Sequence, residues 1–267
     1  PARAGMWIAL ATSLKLYPAL LVLPLLVRRD GRGLGAFAVF LILFGLVAPL
    51  LVMGPADGRD ATKQFCADIL APFFADDEYA DREVFVQFNQ FSPSNQSLFG
   101  VLSRWLARGS LPEDEPFALS LADLSTTTVR RIALTVSLIL ILIMIAVTLR
   151  RPRRESWSEA VVWCLPIVAA NFICHVAWHH YYAVLTMPYA LAAAALVILP
   201  AGRNRLPLAV VLGLAVACNW LHFAVFFCRQ MGLLLLSSLL LWVFLARLAA
   251  LGLPETLPQD DNAREEC

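Results

Sequence analysis

Apolar residues run along most of this chain in stretches of about 20, the length an α-helix needs to cross a hydrocarbon layer. Residues 6–27, 34–53, 132–149, 160–176, 183–199, 206–227 and 233–251 predict about seven membrane spans. The fourth and fifth are short and parted only by "HVAWHHYY" (175–182), so one of them is expected to be tilted, broken or partly re-entrant. The fold class this predicts is all-α: a polytopic transmembrane helix bundle. One large hydrophilic loop, about 54–131, interrupts a membrane-embedded region of residues 1–252, and a polar tail follows at 253–267.

Inside that loop, "NQSLFGVLSRWL" has the spacing of an amphipathic helix. The expected element covers 97–107, with Asn95 as N-cap after the break at Pro93-Ser94. Leu98, Val101, Leu102, Trp105 and Leu106 are expected to lie on the membrane surface. The first run is too long for a signal-peptide core and contains Lys15, so it is not read as a targeting segment. The sequence opens Pro1-Ala2-Arg3 without an initiator methionine, and an N-terminally incomplete chain is the expectation.

Composition agrees with the pattern: 60% of the 267 residues are hydrophobic and 15% charged, against roughly half and a quarter in soluble domains. A net charge of +1 and the lack of any binding signature argue against nucleic acid as a partner. The positions of the charges say more. Arg28, Arg29 and Arg32, then Arg150, Arg151, Arg153 and Arg154, then Arg203 and Arg205 fill alternate short loops, whereas the turn 228–232 carries one Arg. Because cytoplasmic loops collect Lys and Arg, the tail is expected inside, and the large loop and the histidine stretch outside. The six cysteines form no CxxC pair, which argues against a zinc or redox site, and a pairing of Cys66 with Cys174 or Cys228 stays open.

Polar residues within the apolar runs are the candidates for chemistry. A charge at the middle of a span costs about 2.5 to 3.5 kcal/mol on insertion scales. Lys15, in "SLKLYPALL", therefore either snorkels to an interface or faces an aqueous cavity that holds an anion. His175 and His179 stand at i, i+4, a spacing that suits a metal, but no third ligand is evident. The histidines also fit an aromatic belt with Trp178, Tyr181 and Tyr182, or a phosphate-binding or proton-relaying site at the membrane edge. Asn95-Gln96-Ser97 reads either as a glycosylation acceptor or as a set of hydrogen-bonding groups beside a sugar or phosphate. Arg104 has the fork geometry for a phosphate, or else belongs to a solvated helix face.

Taken in order, "LKLYP", the basic turn "RRDGRG", "NQSLFGVLSRWL" and "AWHHYYAVLTMP" resemble the polyprenol-phosphate-mannose-dependent mannosyltransferases, glycosyltransferase family 87 of the GT-C class. The resemblance runs from Leu14 to about Pro188. It implies a GT-C-like enzyme that moves a hexose, mannose in most members, from a polyprenyl-phosphate carrier to a glycan or glycolipid acceptor. The expected setting is the extracytoplasmic face of a bacterial plasma membrane, with no cofactor and no metal. The matching "AWHHYY" implies that His179 or His180 lies at the donor phosphate, and "LKLYP" that Lys15 is in or near the same cavity. Arg104 joins them as a further donor-phosphate candidate, and Tyr17, Asn95, Gln96, Ser97 and Trp178 are candidates for the substrate cavity. Where family members have Ser-Pro and then Ser-Trp, this chain has Cys174-His175-Val176-Ala177-Trp178. The family's catalytic carboxylate is expected upstream of Pro1. Asp57, Asp60, Asp68, Asp76, Asp77 and Asp81 are not promoted to that role, so the base is unassigned.

Transfer from a sugar phosphate needs a base for the acceptor hydroxyl and cations for the departing phosphate. Lys15, His179, His180 and Arg104 are the groups that this sequence offers for the second task. The rival readings are a transporter or flippase for an anionic lipid or solute, whose pathway the same residues would line, and a non-catalytic membrane scaffold.

Overall fold

Pro18 decides how the chain begins. It lacks an N–H and pushes the residue before it out of helical geometry. In the computed structural model, which describes residues 2–15, 17–66, 92–107, 121–150, 156–174, 177, 179–199, 202 and 204–251, α1 (Ala2–Leu14) ends before this proline. A 3₁₀ turn at Tyr17–Leu21 and α2 (Val22–Val27) follow. The single span expected at 6–27 is thus two short helices joined at a break, and Lys15 stands at that break rather than at mid-span.

Asp30 caps α3 (Gly31–Ile42), its carboxylate accepting from the Gly33 amide at 3.1 Å. A π-helical stretch, Leu43–Val47, carries the rod on into α4 (Ala48–Met53). Pro49 explains that widening, since a proline ring collides with the carbonyl four residues back in a regular helix. Then come α5 (Pro55–Phe65), α6 (Leu98–Leu106), α7 (Thr126–Arg150), α8 (Ser156–Ile173), a 3₁₀ segment His179–Leu185, α9 (Thr186–Ile198), α10 (Arg205–Ala224), α11 (Phe226–Gln230) and α12 (Leu233–Leu251). Among the described residues there is no strand, and Ala107 and Leu124 form an isolated bridge. The fold is all-helical.

Among the described residues, five stretches are long and apolar enough to cross a membrane: Gly31–Met53, Thr126–Arg150, Tyr181–Ile198, Arg205–Ala224 and Leu233–Leu251. Pro18–Val27 and Glu159–Ile173 are shorter apolar helices. Among the described residues, five of the seven expected spans are thus found at full length, whereas the first is broken at Pro18 and the fourth is represented by the shorter α8, which carries the carboxylate of Glu159 near its start. That carboxylate is answered locally: it forms an ion pair with Arg28, and Trp163 Nε1 donates to it at 2.8 Å. With several long apolar helices, the chain is an integral membrane protein.

The core lies between α8 and α12. Val161, Leu165, Val168 and Phe172 on the first meet a bundle interior that Leu234, Leu241, Leu245 and Leu248 of the second complete. The rod α3–α4 has the opposite character, with Val39, Ile42, Leu51 and Val52 exposed, as befits a helix that faces lipid. It is held to α1 by close backbone approach: a Cβ on Gly5 would fall 2.0 Å from the Gly33 carbonyl oxygen.

The amphipathic helix expected at 97–107 exists as α6, but its position differs. Leu98, Phe99 and Val101 are buried against α7 and α8 rather than spread on a membrane surface. Its N-cap is Ser97, whose hydroxyl accepts from the Gly100 amide at 3.0 Å, and not Asn95. An apolar stripe fixes which face of a helix is covered. It does not say by what.

Candidate functional site at one end of the bundle

Four segments far apart in sequence converge where α6 docks. Asn95, Gln96 and Ser97 precede α6 and are all buried. The Asn95 side-chain oxygen accepts from the amides of Ser97 and Ala177, both at 3.1 Å. The Gln96 amide donates to the Ala177 carbonyl at 2.8 Å. Tyr182, from the 3₁₀ segment, donates its hydroxyl to the Gln96 carbonyl at 2.7 Å. Gln96 Nε2 reaches the carbonyls of Pro93 at 2.6 Å and of Arg229 at 2.9 Å. The approach to α6 is thereby stitched to the chain on either side of the histidine pair and to the turn before α12.

Arg104 is the largest fully buried side chain among the described residues, 1% exposed, which removes the solvated-face reading. Its Nη1 donates to the Ser92 and Asn95 carbonyls at 2.7 and 2.8 Å. The guanidinium thus folds the segment before α6 back over the helix. It sits beneath the junction. Gly232 closes the other side: its φ of 71° lies in the left-handed region, and a Cβ there would come 2.5 Å from Val101 Cγ1.

Lys15 reaches the same end of the bundle by another route. Its Nζ lies 3.8 Å from the centre of the Tyr181 ring, a cation over an aromatic face. Tyr181 follows His179 and His180 directly in the 3₁₀ segment, so the break after α1 and the histidine-bearing backbone are neighbours. The side chains of His179, His180 and Tyr17, and all of His175 and Trp178, lie outside the described residues. So do residues 67–91 and 108–120 of the loop expected at 54–131, which include the acidic residues at 76–78 and 113–115, and the tail at 253–267.

A model of glycosyltransferase family 87 matches residues 1–165. The chain belongs to this family. No curated protein and no solved structure matches it. The matched stretch of this glycosyltransferase contains Lys15, Tyr17, Asn95, Gln96, Ser97 and Arg104; Trp178, His179 and His180 lie beyond it.

Two features of the assembly were not read from the sequence. Tyr182 fits an aromatic belt by its sequence neighbours, yet its hydroxyl is buried on the Gln96 carbonyl. The sequence signal for Gly232 is its place directly before a long apolar run. The glycosylation reading of Asn95-Gln96-Ser97 also loses its footing. The Asn95 side chain is 3% exposed and engaged with two backbone amides.

Proposed function

We propose that this glycosyltransferase takes its sugar, mannose in the favoured case, from a polyprenyl-phosphate carrier and passes it to a glycan or glycolipid on the extracytoplasmic face. Family membership supports sugar transfer within a membrane. The contact of Lys15 with Tyr181 supports the finer reading, because it sets a cation beside the backbone of His179 and His180 at a bundle end. A lipid-linked donor needs such a place: the polyprenyl tail stays among apolar helices while the phosphate and sugar meet water. In this reading Lys15, His179 and His180 neutralise the phosphate as it leaves. Tyr17 and Trp178 flank the sugar. Asn95, Gln96, Ser97 and Arg104 hold the floor beneath, Arg104 acting as a clamp whose Nη1 is already spent on two carbonyls. The acceptor's base is left unassigned.

The test is transfer from polyprenyl-phosphate-mannose by purified full-length protein in lipid, comparing wild type with His179→Ala, His180→Ala and His180→Tyr, each with and without chelator. One well-aimed donor to a developing anion is worth about 10²-fold in turnover. A loss of that order is expected in at least one alanine variant, unrescued by tyrosine and indifferent to chelator. Wild-type turnover in both alanine variants would overturn the donor site. Loss on chelation would point instead to a metal.

A further inference from the structure

At the end of the bundle away from Lys15, α10 begins and α12 finishes, and a cavity of about 250 Å³ opens between them. Its walls include Asn204, Leu208, Val211, Val243, Phe244 and Arg247. The polarity is ordered along the helix axes. Asn204 and Arg247 lie toward the helix ends; Leu208 and Val211 follow successive turns into α10, and Phe244 lies one turn deeper in α12. A membrane helix that finishes at Leu251 carries Arg247 just inside its end, at the depth where headgroups meet acyl chains.

Among the described residues, the polar groups at the mouth are unspent. Among the described residues no carboxylate pairs with Arg247. Asn204 stands at the N-cap position of α10 and makes no capping bond with its side chain. Arg205, the first residue of α10, is exposed beside it. Val210 and Val243 are about half exposed on the flanks, so the groove opens sideways toward lipid rather than only toward water.

We infer that this groove binds an anionic phospholipid, its phosphate on Arg247 and Asn204 and its acyl chain along Val211, Val243 and Phe244. Charge complementarity selects an anion, since the mouth offers a guanidinium, an amide and no acid among the described residues. The apolar floor selects a lipid over a soluble phosphate, which has no use for Phe244 or Val211. The site is separate from the donor site, at the opposite bundle end, and does not depend on that reading.

Native mass spectrometry of the detergent-solubilised full chain, titrated with dioctanoyl phosphatidylglycerol, reads the site directly. Dioctanoyl phosphatidylcholine, inorganic phosphate and the variants Arg247→Gln, Val243→Trp and Arg32→Gln are the comparisons. Loss of a charge-assisted contact corresponds to about tenfold weaker binding, expected in Arg247→Gln. Val243→Trp should fill the groove and weaken binding with Arg247 intact, while Arg32→Gln, which removes an exposed charge outside the cavity, leaves it unchanged. Equal binding of phosphatidylcholine, displacement by equimolar inorganic phosphate, or equal losses in Arg247→Gln and Arg32→Gln would each overturn the assignment. So would wild-type affinity in Arg247→Gln.

Discussion

Asn95 shows what one side chain does at this junction. Its oxygen satisfies two buried amides, one at the start of α6 and one at Ala177 beside the histidine pair. Asn95→Ala leaves both donors unmet in a setting without water, at a cost of about 3 kcal/mol. Chemical denaturation in detergent should register that loss, and transfer activity should fall with it. Asn95→Asp, which keeps the acceptor oxygen, should retain more of both. Lys15 calls for the reverse outcome. It is exposed, and its contact with the Tyr181 ring adds about 0.5 to 1 kcal/mol at such sites. Lys15→Met should therefore fold normally yet lower turnover by about 10-fold or more, because a phosphate in this position loses a charge that water does not replace. Full activity in that variant would leave Lys15 a snorkelling residue. Lys15 was legible in the sequence as a charge out of place. Its partner was not, because nothing local links "LKLYP" to "HHYY"; only the packed bundle does.

Helices differ in how far their own sequences determined them. α12 has the bounds expected from hydropathy, and α7 and α10 come close to theirs, because an unbroken apolar run of membrane length has few alternatives to a helix. The first run misleads because it crosses Pro18, where backbone geometry overrules hydrophobicity, whereas Pro24 sits in the first turn of α2 and does not interrupt it. α6 misled differently: its apolar face suits a membrane surface and a protein core equally well. Gly232 ties α6 to α12 and can be tested as an element-level contact. Gly232→Ala adds a side chain at a positive φ and drives it into Val101, so a loss of about 2 kcal/mol or more in unfolding free energy is expected. Adding Val101→Ala should recover the part due to the collision and leave the part due to the backbone. Recovery to wild type would mean that the φ at 232 carries no strain.

For the whole molecule, the two bundle ends have different characters that match the alternation of charge in the sequence. Arg28 pairs with Glu159 at one end, where α10 starts and α12 finishes. Lys15, the approach to α6, the 3₁₀ segment and Arg229 meet at the other. The orientation expected from the basic loops puts the second end outside the cell. Cysteines introduced at Lys63 and at Arg29, both exposed, test it on a background without the exposed Cys66. An impermeant thiol reagent on intact cells should label Lys63→Cys and spare Arg29→Cys. The converse labelling would invert the protein and move the proposed donor site to the cytoplasm.

The stitching around Gln96 also bears on how the protein is made. Its partners are not near it in the chain: the bonds to Tyr182, to Ala177 through Asn95, and to Arg229 span separations of 86, 82 and 133 residues. A nascent chain that has emerged as far as Ala224 already carries every residue assigned here to the donor, but neither the Arg229 carbonyl that anchors Gln96 nor the glycine on which Val101 rests. Ribosomes add about 5 to 20 residues per second, and domains commonly fold as they appear. This end of the bundle has to wait. Its parts enter the membrane early and stay unlatched until the turn before α12 follows them, so this junction closes well after the residues around Gln96 have been made.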